Sequence, residues 1–200
     1  MKRTIYHLLW ISAAVFACNS PAKTNEDKEA TTTKALVARG KYLADVMDCA
    51  NCHSPKVMTP QGPVPDSTRL MAGHWAAEAL PPYDPSVLAG GQWALMSGTV
   101  TAFVGPWGTS YAANLTPDAT GFGSWSSEQF RKALKQGLYK GLDHNRPIMP
   151  PMPVPAFKNL SDEDADAIFA YLKTLKPVHN LVPSYTPPTS LASQQVIGKP

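Results

Sequence analysis

Two cysteines and a histidine stand together in Cys49-Ala50-Asn51-Cys52-His53, the one place in the chain where reactive residue types crowd. In an exported protein, two neighbouring cysteines most simply form a disulfide. The spacing also permits a dithiol redox pair, but no alternation of buried strands and helices surrounds it. A zinc site takes about four ligands, and these residues leave it one short. As a whole the five residues match C-x-x-C-H, the attachment sequence of c-type haem. The chemistry needs that spacing. Two thiols three residues apart reach two vinyl groups on one side of the porphyrin, and the next residue turns its imidazole under the iron. One motif implies one haem.

A ligand on the far side of the iron would come from Met47, Met58, Met71, Met96, Met149, Met152, His74, His144 or His179. Methionine is more often core filler than ligand, and Met47 falls on the helix entering the motif. Met149 and Met152 stand apart, because they sit in Arg146-Pro147-Ile148-Met149-Pro150-Pro151-Met152-Pro153-Val154-Pro155. Those prolines fix φ and remove N–H donors, giving a stiff extended strap. A stiff strap holds a weak thioether with little entropic loss. His74 would give a bis-histidine haem, but reads better as a surface or loop residue.

The elements around these residues read as helices. From Lys34 to Asp48, Ala35, Leu36, Val37, Gly40, Leu43, Ala44 and Met47 make one face that leads into the motif. Ser126 with Gln129 predicts a capping box, followed by Phe130, Ala133, Leu134 and a Gly137 stop. Ser161 with acids at 162–164 starts a last helix, whose apolar face is Ala165, Ile168, Phe169, Leu172 and Leu175; Pro177 ends it. Nothing alternates long enough to predict a sheet. The expected fold class is mainly α, with long Pro-rich loops.

A helix entering C-x-x-C-H and paired with a C-terminal helix resembles the class I cytochrome c fold, with helices wrapped around one covalent haem. The resemblance implies a close crossing of first and last helices, with Gly40 and Tyr171 in the facing roles. It also implies a carbonyl acceptor for the His53 ring in a proline-bearing loop, at Pro60 or Pro63. Met152-Pro153-Val154-Pro155-Ala156-Phe157, with Leu160-Ser161-Asp162-Glu163-Asp164 and Ala170-Tyr171-Leu172, is similar to a particular subset. These are the cytochrome modules and subunits of membrane-bound alcohol, aldehyde and gluconate dehydrogenases. That subset implies Met152 as the second axial ligand beside His53, with Met149 as runner-up. Tyr111-Ala112-Ala113-Asn114-Leu115-Thr116-Pro117-Asp118 carries the same likeness. Asn114, Thr116, Trp107, Trp125 and Tyr111 are candidate donors to haem propionates there, or turn residues and core aromatics. Residues 67–105 match no motif.

The 200 residues suit one domain. Charged residues make up 16%, below the ~25% of soluble domains, and the 20 prolines are twice the usual ~5% share. The formal charge is +3, but Lys2 and Arg3 belong to an apparent leader, and without them acids and bases nearly balance. That excludes a nucleic-acid partner argued from charge. Lys2-Arg3, then an apolar run to Ala17, reads as an export signal too short to span a bilayer. Val15-Phe16-Ala17-Cys18 resembles a bacterial lipobox, which implies a lipid anchor on Cys18; a simple signal peptide cut nearby is the alternative. The expected layout is a signal peptide at 1–17, a flexible tether at 18–34, the cytochrome domain at 35–180 and a Pro/Ser-rich tail at 181–200.

The functional expectation is an electron carrier rather than an enzyme. It would pass electrons between a dehydrogenase and a respiratory acceptor on the periplasmic side of a bacterial membrane, free or as a subunit. The alternative is a gas or peroxide haem protein with an open sixth position, using His74 or Arg146 as a distal group.

Overall fold

The chain's two longest regular elements that pack together are α1 (Asn25–Val46) and α5 (Asp162–Leu172), and they cross at Gly40. The computed structural model describes residues 25–188. A Cβ placed on Gly40 would lie 1.8 Å from the Ala167 carbonyl oxygen and 2.9 Å from the Ile168 nitrogen. Backbone meets backbone there, and only glycine allows it. The expected crossing is present, but Gly40 faces the Ala167–Ile168 backbone rather than Tyr171. Tyr171 lies one turn further along α5, buried in the core with Leu43 and Ala44. Arg39 clamps the crossing with a two-pronged bond to Asp164, at 2.9 and 3.1 Å.

The helix begins earlier than the sequence reading placed it. Residues 25–34, expected as tether, are helical, and Glu29 to Leu36 are exposed. Glu29, Ala30, Lys34 and Ala35 are strong helix formers, so the packed part of α1 propagates outward through them. The expected signal peptide at 1–17, Cys18 and the last part of the expected tail, 189–200, lie outside the described residues.

The two later helices start as their capping residues dictate. Ser126 Oγ accepts the Gln129 N–H at 3.1 Å to open α3 (Ser127–Gln136). The Gln129 side chain turns away and donates to Lys140 O, so only half of the capping box forms. Gly137, at φ 69°, ends the helix with its N–H on Ala133 O. Ser161 Oγ accepts the Asp164 N–H at 3.0 Å to open α5. Arg131 on α3 reaches Asp166 on α5 at 2.6 Å, tying the two together. Two short helical segments complete the set, α2 (Cys49–His53) and α4 (Val154–Phe157).

Small sheets are present where none was expected. β1 (Lys56–Thr59) and β2 (Gly62–Pro65) make a hairpin pairing Lys56 with Pro65. β3 (Leu95–Met96), β4 (Ala102–Gly105) and β5 (Gly108–Tyr111) form an antiparallel sheet in that order. The strands hold four residues at most, and β4 is buried on both faces, so no in–out alternation marks it. After α5 the chain returns over this sheet. Thr186 bridges Thr109, and the Tyr185 hydroxyl donates to Trp107 O at 2.5 Å, so the expected tail packs on the body at least to Thr186.

Candidate functional site

Asp48, at φ 55°, breaks the chain between α1 and α2 and lets the Cys-Ala-Asn-Cys-His turn leave the line of the long helix. Cys49 and Cys52 are three residues apart on that turn and so share a face. Both are free thiols, half-buried, and no disulfide joins them. Burial pushes the Cys49 thiol up to about 11 and raises Cys52 as well. A dithiol redox pair works with a depressed pKa, so this environment does not suit one. It keeps both as protonated thiols.

His53 follows on the same turn. Its Nδ1–H donates to Ala113 O at 2.8 Å. Burial pushes the imidazole pKa down, which keeps the ring neutral. The proton on Nδ1 therefore leaves the Nε2 lone pair for a metal. The acceptor is not at Pro60 or Pro63, as the sequence reading had it. The β1–β2 hairpin carries both prolines to an exposed tip, and the carbonyl comes instead from the stretch just after β5.

That carbonyl is held in place by a tight turn at residues 71–74. Gly73 N–H donates to His53 O at 2.8 Å, and His74 N–H donates to Ala112 O at 2.9 Å. Leu115 N–H donates to Met71 O at 2.8 Å, and Met71 N–H to Ser54 Oγ at 2.9 Å. Gly73 has φ 79°, and a Cβ there would lie 2.6 Å from both Ala112 O and Ala113 C. The turn thus presses on the very backbone that holds the His53 ring.

The candidate second ligands separate clearly. Met58 and Met96 are exposed, at 74% and 60%, while Met71 is fully buried in the core beside Leu43 and Leu115. Met47 packs in the core as expected. His144 and His179 are exposed. His74 is not a surface residue: it is 1% exposed, with Nδ1 against Thr101 Oγ1 at 2.8 Å and Nε2 against Glu78 O at 3.3 Å. Both of its ring nitrogens are engaged. Met152 is half-buried and packs on the same apolar cluster as Cys49, whereas Met149 is not among that cluster's neighbours.

The strap that carries Met152 is pinned at several points. Ile148 N–H donates to Gly137 O at 2.7 Å, and Val154 N–H to Met152 O at 2.9 Å. Ser110 Oγ donates to Pro150 O at 2.6 Å and itself accepts Trp107 Nε1–H at 3.1 Å. The Arg146 guanidinium lies 3.7 Å over the Tyr139 ring. Arg146 is therefore committed to the strap.

The candidate propionate donors are mostly committed elsewhere. Asn114 Nδ2 donates to Val178 O at 2.9 Å and Thr120 Oγ1 at 3.0 Å, and its Oδ1 accepts from Thr116. Trp107 binds Ser110, the Tyr111 ring packs on His74 at 4.9 Å, and Trp125 packs on Phe122 at 4.5 Å. Turn chemistry and core packing account for these residues. The Ala113 carbonyl lies within the Tyr111–Asp118 stretch singled out by its side chains, but a backbone carbonyl carries no sequence signal of its own.

Among the described residues, no cluster of three or more His, Cys, Asp or Glu could hold a bare metal ion, and no helix is long and apolar enough to cross a membrane. The donor set fits a haem bonded through two thioethers and one imidazole.

Comparison with known sequences agrees. The chain is 31% identical over 162 residues to the fructose dehydrogenase cytochrome subunit of Gluconobacter japonicus, covering 80% of this chain and 26% of that one. It is 34% identical over 139 residues to the gluconate 2-dehydrogenase cytochrome c subunit of Pantoea cypripedii, covering 68% and 22%. It is 32% identical over 162 residues to the cytochrome c subunit of the quinone alcohol dehydrogenase of Gluconobacter oxydans (strain 621H), covering 79% and 26%. The chain thus spans about a quarter of the length of these relatives. The Cytochrome c family model matches residues 37–176, from the middle of α1 to just past α5. With that match over most of its length, the chain is a member of the cytochrome c family.

Proposed function

We propose that this cytochrome is a one-electron carrier with a single haem c, bound through Cys49 and Cys52 and ligated by His53 and Met152. The observation that carries the reading is the 2.8 Å bond from His53 Nδ1 to Ala113 O, which sets a neutral imidazole with Nε2 free to bind iron. Bound there, the haem supplies reversible Fe(II)/Fe(III) exchange. Around it the chain orients the imidazole and keeps the Met152 thioether on a stiff strap. The open-site alternative has less support, since His74 has both ring nitrogens bonded and Arg146 is stacked on Tyr139.

The donor is a dehydrogenase, free or in complex, as the names of the relatives suggest, and the acceptor lies further along a respiratory chain. The protein works outside the cytoplasm, on the periplasmic side of a bacterial membrane, tethered by a lipid on Cys18. Spectra of the oxidised and reduced protein, with and without carbon monoxide, test the reading. The expected result is a low-spin c-type spectrum with the weak red band of methionine-bound ferric haem, indifferent to carbon monoxide. Prompt carbonylation of the unsubstituted protein would overturn methionine ligation. Haem attachment is tested apart from it, by mass: one haem added to the wild type and none to a Cys49→Ser, Cys52→Ser variant.

A further inference from the structure

Asn180, beyond the end of α5, is a buried carboxamide at 3% exposure with both N–H donors and its carbonyl oxygen bonded. Its Oδ1 accepts the Ala76 N–H at 3.0 Å. Its Nδ2 donates to Ala72 O at 2.7 Å and to His74 O at 2.8 Å. All three partners are backbone groups of one turn, residues 72–76. A carboxamide is the side chain that can do this, since it offers two donors and an acceptor in one plane. The Ala72 and His74 carbonyls belong to buried residues, so leaving either unpaired is unfavourable. Its own N–H donates to Thr120 Oγ1 at 3.1 Å, which fixes the side chain's point of departure.

The gripped turn is the one that touches the haem-site histidine at both ends. Gly73 N–H holds the His53 carbonyl, and His74 N–H holds Ala112 O, next to the Ala113 carbonyl that accepts from the His53 ring. Gly73 sits between Ala72 and His74, whose carbonyls Asn180 holds. Among the described residues, Asn180 makes the hydrogen bonds that tie residues 72–76 to the C-terminal segment. We infer that Asn180 is a positioning residue for His53, setting through the 72–76 turn the strength of the ring N–H bond to Ala113. The stronger that bond, the more basic the imidazole and the better it stabilises ferric iron. Loosening the turn weakens the bond and favours the ferrous state. The inference rests on His53 being the iron ligand.

The test uses the haem-loaded protein carrying Asn180→Asp or Asn180→Ala. Asn180→Asp keeps the shape but loses both N–H donors, while Asn180→Ala removes the group. Tyr185→Phe is the control, since it loosens the same returning segment at Trp107 O and touches nothing at 72–76. The Asn180 variants are expected to shift the ferric/ferrous equilibrium about threefold toward ferrous, about 30 mV upward at 59 mV per tenfold. Gly73 and His74 amide protons should exchange at least tenfold faster, and the His53 ring N–H signal should broaden or move. Tyr185→Phe should leave all three unchanged.

Asn180 variants with the wild-type potential and wild-type amide exchange would overturn the inference, as would a Tyr185→Phe shift of equal size. Should neither Asn180 variant fold, the wild type still decides the matter. Its Asn180 carboxamide protons must exchange as slowly as the Gly73 and His74 amides, and faster exchange refutes the grip. A wild type without a haem-shifted His53 ring signal would sink the ligand assignment and this inference with it. A wild type with that signal and indifferent variants would sink the inference alone.

Discussion

His53 and Met152 are held by opposite means. Around His53, its own ring and carbonyl, the Ser54 and Asn180 side chains and backbone groups of residues 71–74 and 112–115 bond to one another across long sequence distances. Around Met152, the strap from Arg146 to Pro155 contains five prolines, which cannot donate, and leans on a few bonds such as Ser110 to Pro150 O. The first arrangement exists only once the whole domain has folded. The second is stiff by its own covalent chemistry, because proline limits φ before any tertiary contact forms. In the proposed ligand pair, the nitrogen donor is thus set by long-range structure and the sulfur donor by local restriction. Damage to the first is a stability problem, and damage to the second is a problem of ligation.

The contrast can be broken most forcefully at Gly73. Gly73→Ala combines a φ of 79° with a Cβ 2.6 Å from two backbone atoms. Such strain and overpacking should cost about 3 kcal/mol, lowering Tm by roughly 10 °C in a domain of this size. A thermal melt showing a loss below about 1 kcal/mol would mean that the turn yields easily.

Met152→Ala should cost only about 1 kcal/mol, since the side chain is half-buried. Its effect should fall on the iron instead: haem retained, potential lowered, carbon monoxide bound on reduction. The same change at Met149 should leave spectrum and potential untouched. If Met149→Ala opens the iron and Met152→Ala does not, the two methionines exchange roles.

Acid should strike the His53 side as well. The Asp66 carboxyl is held down to about 2, first by the Thr68 hydroxyl and then by Arg69. Its value in the folded chain lies below the unfolded value of ~3.9, so its contribution is fully present above about pH 4 and fades as pH falls toward 2. Asp66 N–H also bonds Pro55 O, two residues past His53. Urea unfolding of Asp66→Asn should show less loss between pH 4 and 2 than the wild type. Equal acid loss in both proteins would remove Asp66 from the account. Smallest of all, Arg146→Lys weakens stacking on Tyr139 and should cost about 0.5 kcal/mol, visible in the same urea titration.

Much of the scaffold was legible because its signals are local. Ser126, Gly137 and Ser161 act within one helical turn, and Gly40 is conspicuous in an apolar helical face. The C-x-x-C-H turn is likewise complete within five residues. The His53 acceptor was not legible, since the carbonyl of Ala113 is chemically like any other and only tertiary pairing selects it. His74 and Asn180 look like ordinary loop residues until the fold closes over them. β4 escaped notice because burial on both faces erases alternation, and the start of α1 because its exposed helix formers also suit a solvated linker.

The α1–α5 crossing carries a consequence for the order of events during biosynthesis. Arg39 and Asp164, on either side of it, are 125 positions apart in the chain. Contacts of such separation close late, since the intervening loop must first be ordered. Synthesis runs from the amino end, so Cys49 and Cys52 are made long before α5 exists to bury α1. Until α5 packs, both thiols of the proposed attachment site stand open to solvent. The same long separation that slows closure of the domain delays burial of that turn beneath the α1–α5 pair.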